Sequence, residues 1–197
     1  GISMSSASSN NVLDGNTADT NEFGIFLNAG TTTCDSNTLR NNFTRGSTSH
    51  GIYILDAKNN LIDSNTTTGN TSNGIYIYDQ DVTFELPGNR VIGNTVKTNS
   101  SSGIRLDFAE SSVIEGKVIQ GSLIHGVYLL TAADTNAIRN NKILSNTRAG
   151  VYISSANSNT VIQIDICCID TGVWLDGSSR FNSVSKYNIS GYAVNYL

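Results

Sequence analysis

The sequence predicts an all-β fold, a parallel β-solenoid of about eight to nine coils with roughly 23 residues per coil and no long helices. Three observations predict it. A glycine followed by an alternating apolar triplet recurs at a nearly constant interval, and an asparagine-rich pattern recurs between these glycines. Residues that favour helices are scarce, while 38% of the chain is hydrophobic, which is too apolar for a disordered segment.

The repeated glycine opens one short strand in each coil. It precedes two apolar residues with a variable residue between them, as in Gly51-Ile52-Tyr53-Ile54. Because side chains alternate along a strand, the first and third residues should face the core and the second should face outward. The glycines are Gly1, Gly24, Gly51, Gly74, Gly103, Gly126, Gly150, Gly172 and Gly191, at spacings of 23, 27, 23, 29, 23, 24, 22 and 19 residues.

The second pattern is Asn-x-aliphatic-x-x-Asn, as in Asn60/Ile62/Asn65. A weaker third segment, such as Val118-Ile119, follows it, so each coil holds two or three strands. Asparagine tolerates a left-handed backbone in turns, and its amide can bond the same amide in the next coil. The fifth and seventh coils vary the pattern, as Ser112/Ile114/Lys117 and Thr160/Ile162/Asp165. The expected ladder contains Asn16, Asn42, Asn65 and Asn94, and Lys117 interrupts it.

Domain organisation follows from the same spacings. The repeats run through the whole chain, so we expect a single solenoid domain over residues 1–197. Two coils are longer than the others, which predicts loops at 28–35 and 78–88.

The stretches "GIYI", "NNLIDSN" and "SNTVI" together resemble the right-handed parallel β-helix repeats of the pectate-lyase-like superfamily. They are most similar to the NosD-type repeats of secreted and surface proteins in archaea and bacteria. The resemblance covers essentially the whole chain and implies a right-handed β-helix. It leaves the function open, because this superfamily includes lyases, hydrolases, epimerases, adhesins and structural modules.

Charge and hydropathy exclude several function classes. The net charge is −4 and no run of Lys or Arg occurs, so a nucleic-acid partner is not expected. No apolar stretch is long enough to span a bilayer. The chain opens with "GISMSS", which we interpret as a processed mature protein or an excised piece, located outside the cell or on its surface.

The outward position after each glycine forms a column rich in aromatic residues. Aromatic residues favour strands for their own sake, but an exposed aromatic strip of this length more often marks a contact surface. Its partner could be sugar rings that stack on the aromatic faces, or a second copy of the chain. The column reads Ser3, Phe26, Tyr53, Tyr76, Arg105, Tyr128, Tyr152, Trp174 and Ala193, and the predicted contact surface runs from Phe26 to Trp174.

Catalytic candidates lie beside this column. The resemblance implies that acid and base chemistry would use aspartates or a basic residue on the outer face. The candidates are Arg105, Asp107, Asp79 and Asp81, with Asp56 one coil further. The motifs typical of the related enzymes are absent, so solvated turns are favoured over an active site, and no enzymatic activity is assigned.

No metal site or cofactor is expected. His50 and His125 both precede a repeat glycine, but they are two to three coils apart, and this separation of roughly 14 Å is too far for shared ligation. We interpret both as turn residues.

The chain has three cysteines, Cys34, Cys167 and Cys168. About five coils, or roughly 24 Å, separate Cys34 from the other two, so Cys34 cannot pair with either of them within one molecule, and a disulfide between the adjacent Cys167 and Cys168 would be strained. The cysteines either have no role as thiols or form a bridge between copies, with Cys34 of one copy meeting Cys168 of the next.

The favoured function is an extracellular structural protein that assembles head to tail through uncapped end coils into a filament, sheath or surface layer. The first alternative is a module that binds or modifies polysaccharide. Its residues would be Tyr53, Tyr76, Arg105, Asp107 and Tyr128. The second alternative is a fragment of a larger adhesin or phage fibre.

Overall fold

The computed structural model describes residues 1–80, 87–167 and 169–191, and the backbone of residues 194–196. These residues contain twenty-five short strands and no helix. The strands form three sheets in which every neighbour in a sheet comes from the next coil and runs parallel. The all-β solenoid of about eight to nine coils is therefore confirmed.

Each coil contributes one strand to each sheet in turn. The first sheet contains Ile2–Ser5, Ile25–Asn28, Ile52–Leu55, Ile75–Tyr78, Ile104–Asp107, Val127–Leu130, Ala149–Ser154, Thr171–Leu175 and Val194–Tyr196. The second contains Val12–Asp14, Thr38–Arg40, Leu61–Asp63, Arg90–Ile92, Val113–Glu115, Ala137–Arg139, Thr160–Ile162 and Ser183–Ser185. The third contains Thr17–Asp19, Phe43–Arg45, Thr66–Thr68, Thr95–Lys97, Val118–Gln120, Lys142–Leu144, Asp165–Cys167 and Asn188–Ser190.

The core lies inside the three sheets and consists of stacked aliphatic side chains. Along the first sheet the alternation is as predicted: Ile52 and Ile54 are fully buried, whereas Tyr53 between them is only half-buried. The register places each such residue beside its counterpart, so Ile54 pairs with Ile77 and Tyr53 with Tyr76. One coil alone could not bury these residues, and stacking supplies the missing contacts.

Glycine opens the first-sheet strand because the chain passes close to other groups there. A Cβ atom at Gly74 would lie 2.5 Å from Val96 Cγ1 and 2.6 Å from Asn99 Nδ2. Distances this short would force core atoms to move, so only glycine fits this corner.

The predicted asparagine ladder is present. The Nδ2 atom of Asn42 donates to Asn65 Oδ1 at 2.9 Å, and Asn65 Nδ2 donates to Asn94 Oδ1 at 3.0 Å. The next position is Lys117, whose side chain is buried and interrupts the amide contacts. A second ladder, at the turn before the second sheet, joins Asn11, Asn37, Asn60, Asn89, Ser112, Asn136, Asn159 and Asn182.

The sequence alignment of the seventh coil was wrong by one residue. Ile138 pairs with Val161, so the repeat unit is Asn159/Val161/Ile164 rather than Thr160/Ile162/Asp165. Val161 and Ile164 are buried, while Asp165 is exposed. The cause is that Ile164 replaces the second asparagine, which removes the polar landmark that fixes the alignment in other coils.

Two connections between the first and second sheets are long. They span residues 29–37 and 79–89, whereas the same connection in the third coil spans only residues 56–60. Residues 81–86, inside the second of these connections, lie outside the described part of the chain.

Candidate functional site

The outer column runs along the first sheet as a nearly continuous stack of rings. Ring centroids lie 5.0 Å apart for Phe26 and Tyr53, 5.1 Å for Tyr53 and Tyr76, and 5.0 Å for Tyr128 and Tyr152. The planes within these pairs are inclined by only 12°, 6° and 17°. Each ring therefore covers the faces of its neighbours and presents its edge outward, with the phenol hydroxyl in the case of the tyrosines.

This orientation corrects one expectation. Sugar rings were expected to stack on the aromatic faces, but inside the column those faces are already occupied by the next ring. The strand spacing of about 4.8 Å leaves no room for a third ring between two coils. A ligand on this surface would meet ring edges and phenol hydroxyls instead.

Arg105 fills the one gap between the two groups of rings. Its guanidinium carbon lies 5.3 Å from the centroid of Tyr76 and 5.4 Å from that of Tyr128, so the planar cation continues the stack. Its Nη2 atom donates to Asp107 Oδ2 at 2.6 Å. Its Nε is buried and has no hydrogen-bond partner among the described residues.

Asp107 is the acceptor on which these groups converge. Its side chain is 8% exposed, and Tyr76 also donates its hydroxyl hydrogen to Oδ2 at 3.1 Å. Two of the catalytic candidates, Arg105 and Asp107, thus form a closed ion pair. A carboxylate that holds both a guanidinium and a phenol hydrogen is suited to orienting these donors.

Burial governs the ionisation of the tyrosines. Burial is the largest cause of a raised pKa at Tyr53, to about 12, and the nearby Asp56 carboxylate adds to it. The pKa of Tyr76 is raised further, by burial and then by Asp107. Both phenols stay protonated in ordinary solution, and Tyr76 keeps its lone pairs available to an outside donor.

A family model described as a right handed beta helix region matches residues 32–190. The chain belongs to the right-handed β-helix family. The right-handed coil is thereby confirmed, while the NosD type stays a prediction. No curated protein matches the chain.

Solved structures share the β-helix fold at low sequence identity. The periplasmic alginate epimerase AlgG has a TM-score of 0.77 at 17% identity, with 91% of this chain and 45% of that chain covered. An α-1,3-glucanase catalytic unit from Streptomyces thermodiastaticus has a TM-score of 0.72 at 13% identity, covering 100% and 47%. Pectate lyase Pel9A has a TM-score of 0.60 at 13% identity, covering 86% and 55%. The β-helix chain thus spans about half the length of these structures, and the likeness shows the fold alone.

Asp56 and Asp79 directly follow first-sheet strands, beside the long connections. Asp79 pairs with Lys58, whose Nζ lies 3.6 Å from Oδ2, and Asp56 Oδ1 accepts the backbone N–H of Gln80 at 2.6 Å. Asp81 lies outside the described residues. A polar cleft of about 420 Å³ opens there, and its lining residues are Gly30, Thr31, Thr32, Thr33, Asp35, Asp56, Lys58 and Gln80.

The two histidines pack against the outer column, which was not foreseen. His50 lies 5.2 Å from Tyr53 and 4.8 Å from Tyr76, measured between ring centroids. Its Nδ1 accepts the backbone N–H of Asn73 at 3.2 Å. Burial lowers the pKa of His50 to about 4, and Arg105 contributes, so the imidazole is neutral at pH 7. The signal in the sequence was the spacing of three residues between each histidine and a tyrosine of the column.

The cysteines occupy different environments. Cys34 is a free thiol with 0% of its surface exposed, close to Met4 O and Ser8 O, and burial raises its pKa. A thiol inside the core cannot reach a second molecule, so this geometry does not favour the predicted bridge through Cys34. Cys167 is disulfide-bonded, and Cys168 lies outside the described residues.

The described part of the chain lacks the features of a metal site or of a membrane-spanning helix. It contains no group of three or more His, Cys, Asp or Glu side chains arranged to hold a metal ion. It also contains no helix of the length and apolar character needed to cross a membrane.

Proposed function

We propose that the outer face of the first sheet binds a linear polysaccharide lying along the solenoid axis. The observation that carries this proposal is the continuous outer column from Phe26 to Trp174, which presents a planar group on seven successive coils, six of them aromatic rings and four of these tyrosines. An extended pyranose chain advances by a distance similar to one strand spacing, about 4.8 Å, for each sugar. One sugar would therefore meet each coil.

The chemistry of the surface suits sugar hydroxyls. Tyrosine hydroxyls both donate and accept hydrogen bonds, and the apolar ring edges contact the C–H groups of a pyranose. Arg105 adds a cation near the middle of the column, partly exposed at 29% of its side-chain surface. A chain that carries hydroxyl groups throughout and an occasional carboxylate would complement this pattern.

Relatives in fold are consistent with this proposal. The names of the three solved structures refer to alginate, pectate and α-1,3-glucan, all of which are polysaccharides. AlgG is described as periplasmic, and we propose a location outside the cytoplasm for this chain as well. The proposed activity is binding, because Arg105 and Asp107 are engaged with each other, and Asp56 and Asp79 lie at the strand ends with partners of their own.

Affinity electrophoresis tests this proposal directly. The purified chain would be run through native gels containing alginate, pectate or a soluble neutral glucan. We expect retardation by at least one of them, and loss of that retardation in Tyr53→Ala/Tyr128→Ala. Tyr187→Ala is the matched control, since Tyr187 is exposed at a turn away from the first sheet. No retardation in any gel, or retardation that the double substitution leaves unchanged, would contradict glycan binding by the column.

Self-assembly through the end coils, the function favoured by the sequence, has no observation of its own in the described residues. The burial of Cys34 removes one motive for it. Assembly therefore stays a prediction, as does the origin from a larger adhesin or fibre. Electron microscopy with and without reductant tests assembly, because isolated short rods under both conditions would exclude a polymer.

A further inference from the structure

Six successive first-sheet strands repeat as two blocks of three coils. The first block reads "HGIYIL" from His50, "NGIYIY" from Asn73 and "SGIRLD" from Ser102. The second block reads "HGVYLL" from His125, "AGVYIS" from Ala149 and "TGVWLD" from Thr171. Each block thus begins with a histidine, carries a tyrosine in its first two coils, and ends with an aspartate. This three-coil period is superimposed on the single-coil repeat that specifies the fold.

Side-chain geometry repeats with the sequence. His50 lies 5.2 Å from Tyr53 and 4.8 Å from Tyr76 between ring centroids. The corresponding distances in the second block, from His125 to Tyr128 and to Tyr152, are also 5.2 and 4.8 Å. The two tyrosines of each block stack at 5.1 Å and 5.0 Å.

The aspartate that ends each block accepts the hydroxyl of the tyrosine one coil earlier. Tyr76 donates to Asp107 Oδ2 at 3.1 Å, and Tyr152 donates to Asp176 Oδ2 at 3.5 Å. Fold alone does not require this arrangement, because the same position in other coils holds leucine, asparagine, serine or tyrosine. The repeat is therefore a property of the surface.

The two blocks lie on one sheet, in the same orientation, three strand spacings or about 14 Å apart. A ligand with a direction, such as a sugar chain with a reducing and a non-reducing end, would meet a tyrosine beside a histidine, a second tyrosine, a planar group and an aspartate in the same order twice. Compact ligands could occupy each block separately but could not bridge both.

We infer that the two blocks are two equivalent subsites for one linear glycan chain, which contacts them in the same direction at residues one block period apart. This inference rests on the proposed function and adds the substrate class, an extended oligomer long enough to span both subsites. Short oligomers should bind twice per protein chain, and long oligomers once with higher affinity, because the second contact becomes intramolecular.

Calorimetric titration of the full chain tests this inference. The probes are size-fractionated oligomers of alginate, pectate and a neutral glucan, from dimer to octamer. For the series that binds, we expect two molecules per chain for the short members and one for the long members. The change in stoichiometry should coincide with an increase in affinity of at least about tenfold.

Equivalent substitutions provide the second readout. Tyr53→Ala and Tyr128→Ala should each reduce the stoichiometry of the short oligomers from two to one, and each should weaken the long oligomers by a similar factor. Tyr53→Phe and Tyr128→Phe retain the stacked ring and serve if an alanine variant does not fold. Tyr187→Ala should leave both stoichiometries unchanged.

Three outcomes would overturn the inference. One short oligomer per wild-type chain with affinity rising smoothly with length would indicate a single extended site. A loss confined to one block would show that the subsites are not equivalent. No binding by any probe would contradict both the proposed function and the inference. The first two outcomes would contradict the duplication alone, so the two kinds of failure are distinguishable.

Discussion

The two three-coil blocks agree in their first two coils and differ in the third. In the first block Arg105 lies between two tyrosine rings and pairs with Asp107. In the second block Trp174 takes that position and lies 4.8 Å from Tyr152, with its ring tilted by 35°. A flat cation and a flat indole thus fill the same place, which indicates that the column selects for a planar group more than for charge.

The aspartate at the end of each block has different hydrogen-bond donors, because only the first block has an arginine in the column. Asp107 is held by the guanidinium, whereas Asp176 accepts hydrogen bonds from its own turn. Burial alone would raise the pKa of Asp176, but donors that include the hydroxyls of Ser154 and Ser178 lower it to about 2. Asp176 therefore stays ionised, and both carboxylates accept the hydrogen of a tyrosine hydroxyl.

The interior beneath the two blocks differs as well. The amide ladder passes through Asn65 and Asn94, then reaches Lys117 in the third coil of the first block. The corresponding position in the seventh coil, within the second block, is Ile164. The outer surface therefore repeats more faithfully than the core below it.

The largest effect is expected from extending the ladder with Lys117→Asn. The ammonium group is buried and has no hydrogen-bond partner among the described residues, and burial lowers its pKa well below the ordinary value. An amide would bond to its neighbours, so we expect the free energy of unfolding to rise by about 3 kcal/mol. Urea unfolding measures it, and the exposed Lys97→Asn is the control.

The same substitution has a pH signature. Because the folded-state pKa of Lys117 lies below its unfolded value of about 10.4, the cost is absent above that pH and grows as the pH falls towards the folded pKa. The wild type should therefore gain stability between about pH 7 and pH 10, and Lys117→Asn should lose this slope. A variant less stable than the wild type at pH 7 would show that the core accommodates the lysine by other means.

The second-largest effect on stability is expected from truncating the column side chain in the third coil of each block. Arg105→Ala removes the partner of a carboxylate that is only 8% exposed, so we expect a loss of about 2–3 kcal/mol in the free energy of unfolding. Trp174→Ala should cost less, because Asp176 keeps the donors of its own turn. Arg40→Ala, which breaks an exposed ion pair with Asp14, should change little. Equal losses for Arg105→Ala and Trp174→Ala would refute the proposed difference between the aspartates.

Much of the fold could be predicted from the sequence, because one coil carries all its information locally. The glycine and the alternating triplet locate the first-sheet strand of each coil. Because the inward residues recur in every coil, a strand misplaced in one coil is recognised by comparison with the next. The exception is informative: where Ile164 replaces asparagine, the alignment slipped by one residue. Polar landmarks, more than apolar ones, set the register of this chain.

The candidate site was less predictable, because it depends on torsion angles and depth. The sequence indicates that Tyr53 and Tyr76 face outward, but whether their faces or edges meet solvent depends on the stacking of each ring on the next. The burial of Cys34 likewise depends on how the long connection folds back over the end of the core. The three-coil period of histidine and aspartate becomes visible in the sequence only when corresponding positions of successive coils are compared.

The smallest effect is expected from replacing the two histidines. Their rings occupy equivalent positions, but their Nδ1 atoms differ in hydrogen bonding. His50 Nδ1 accepts the N–H of Asn73, whereas His125 Nδ1 is buried with no hydrogen-bond partner among the described residues. Phenylalanine fits this position, as Phe23 stacks on Phe26 at 5.0 Å in an earlier coil. His125→Phe should therefore retain or slightly raise the free energy of unfolding at pH 7, and His50→Phe should lower it by about 1 kcal/mol.

Acid should reveal what the two histidines share. Burial lowers the pKa of both to about 4, with Arg105 contributing at His50 and Arg148 at His125. Because each folded pKa lies below the unfolded value of about 6.5, their contribution is complete above that pH and is lost as the pH falls towards 4. Each phenylalanine variant should therefore lose less stability than the wild type between about pH 7 and pH 5, by about 2 kcal/mol. Thermal unfolding at both pH values measures this, and an unchanged acid response in His125→Phe would mean that the second block opens to water before its histidine is protonated.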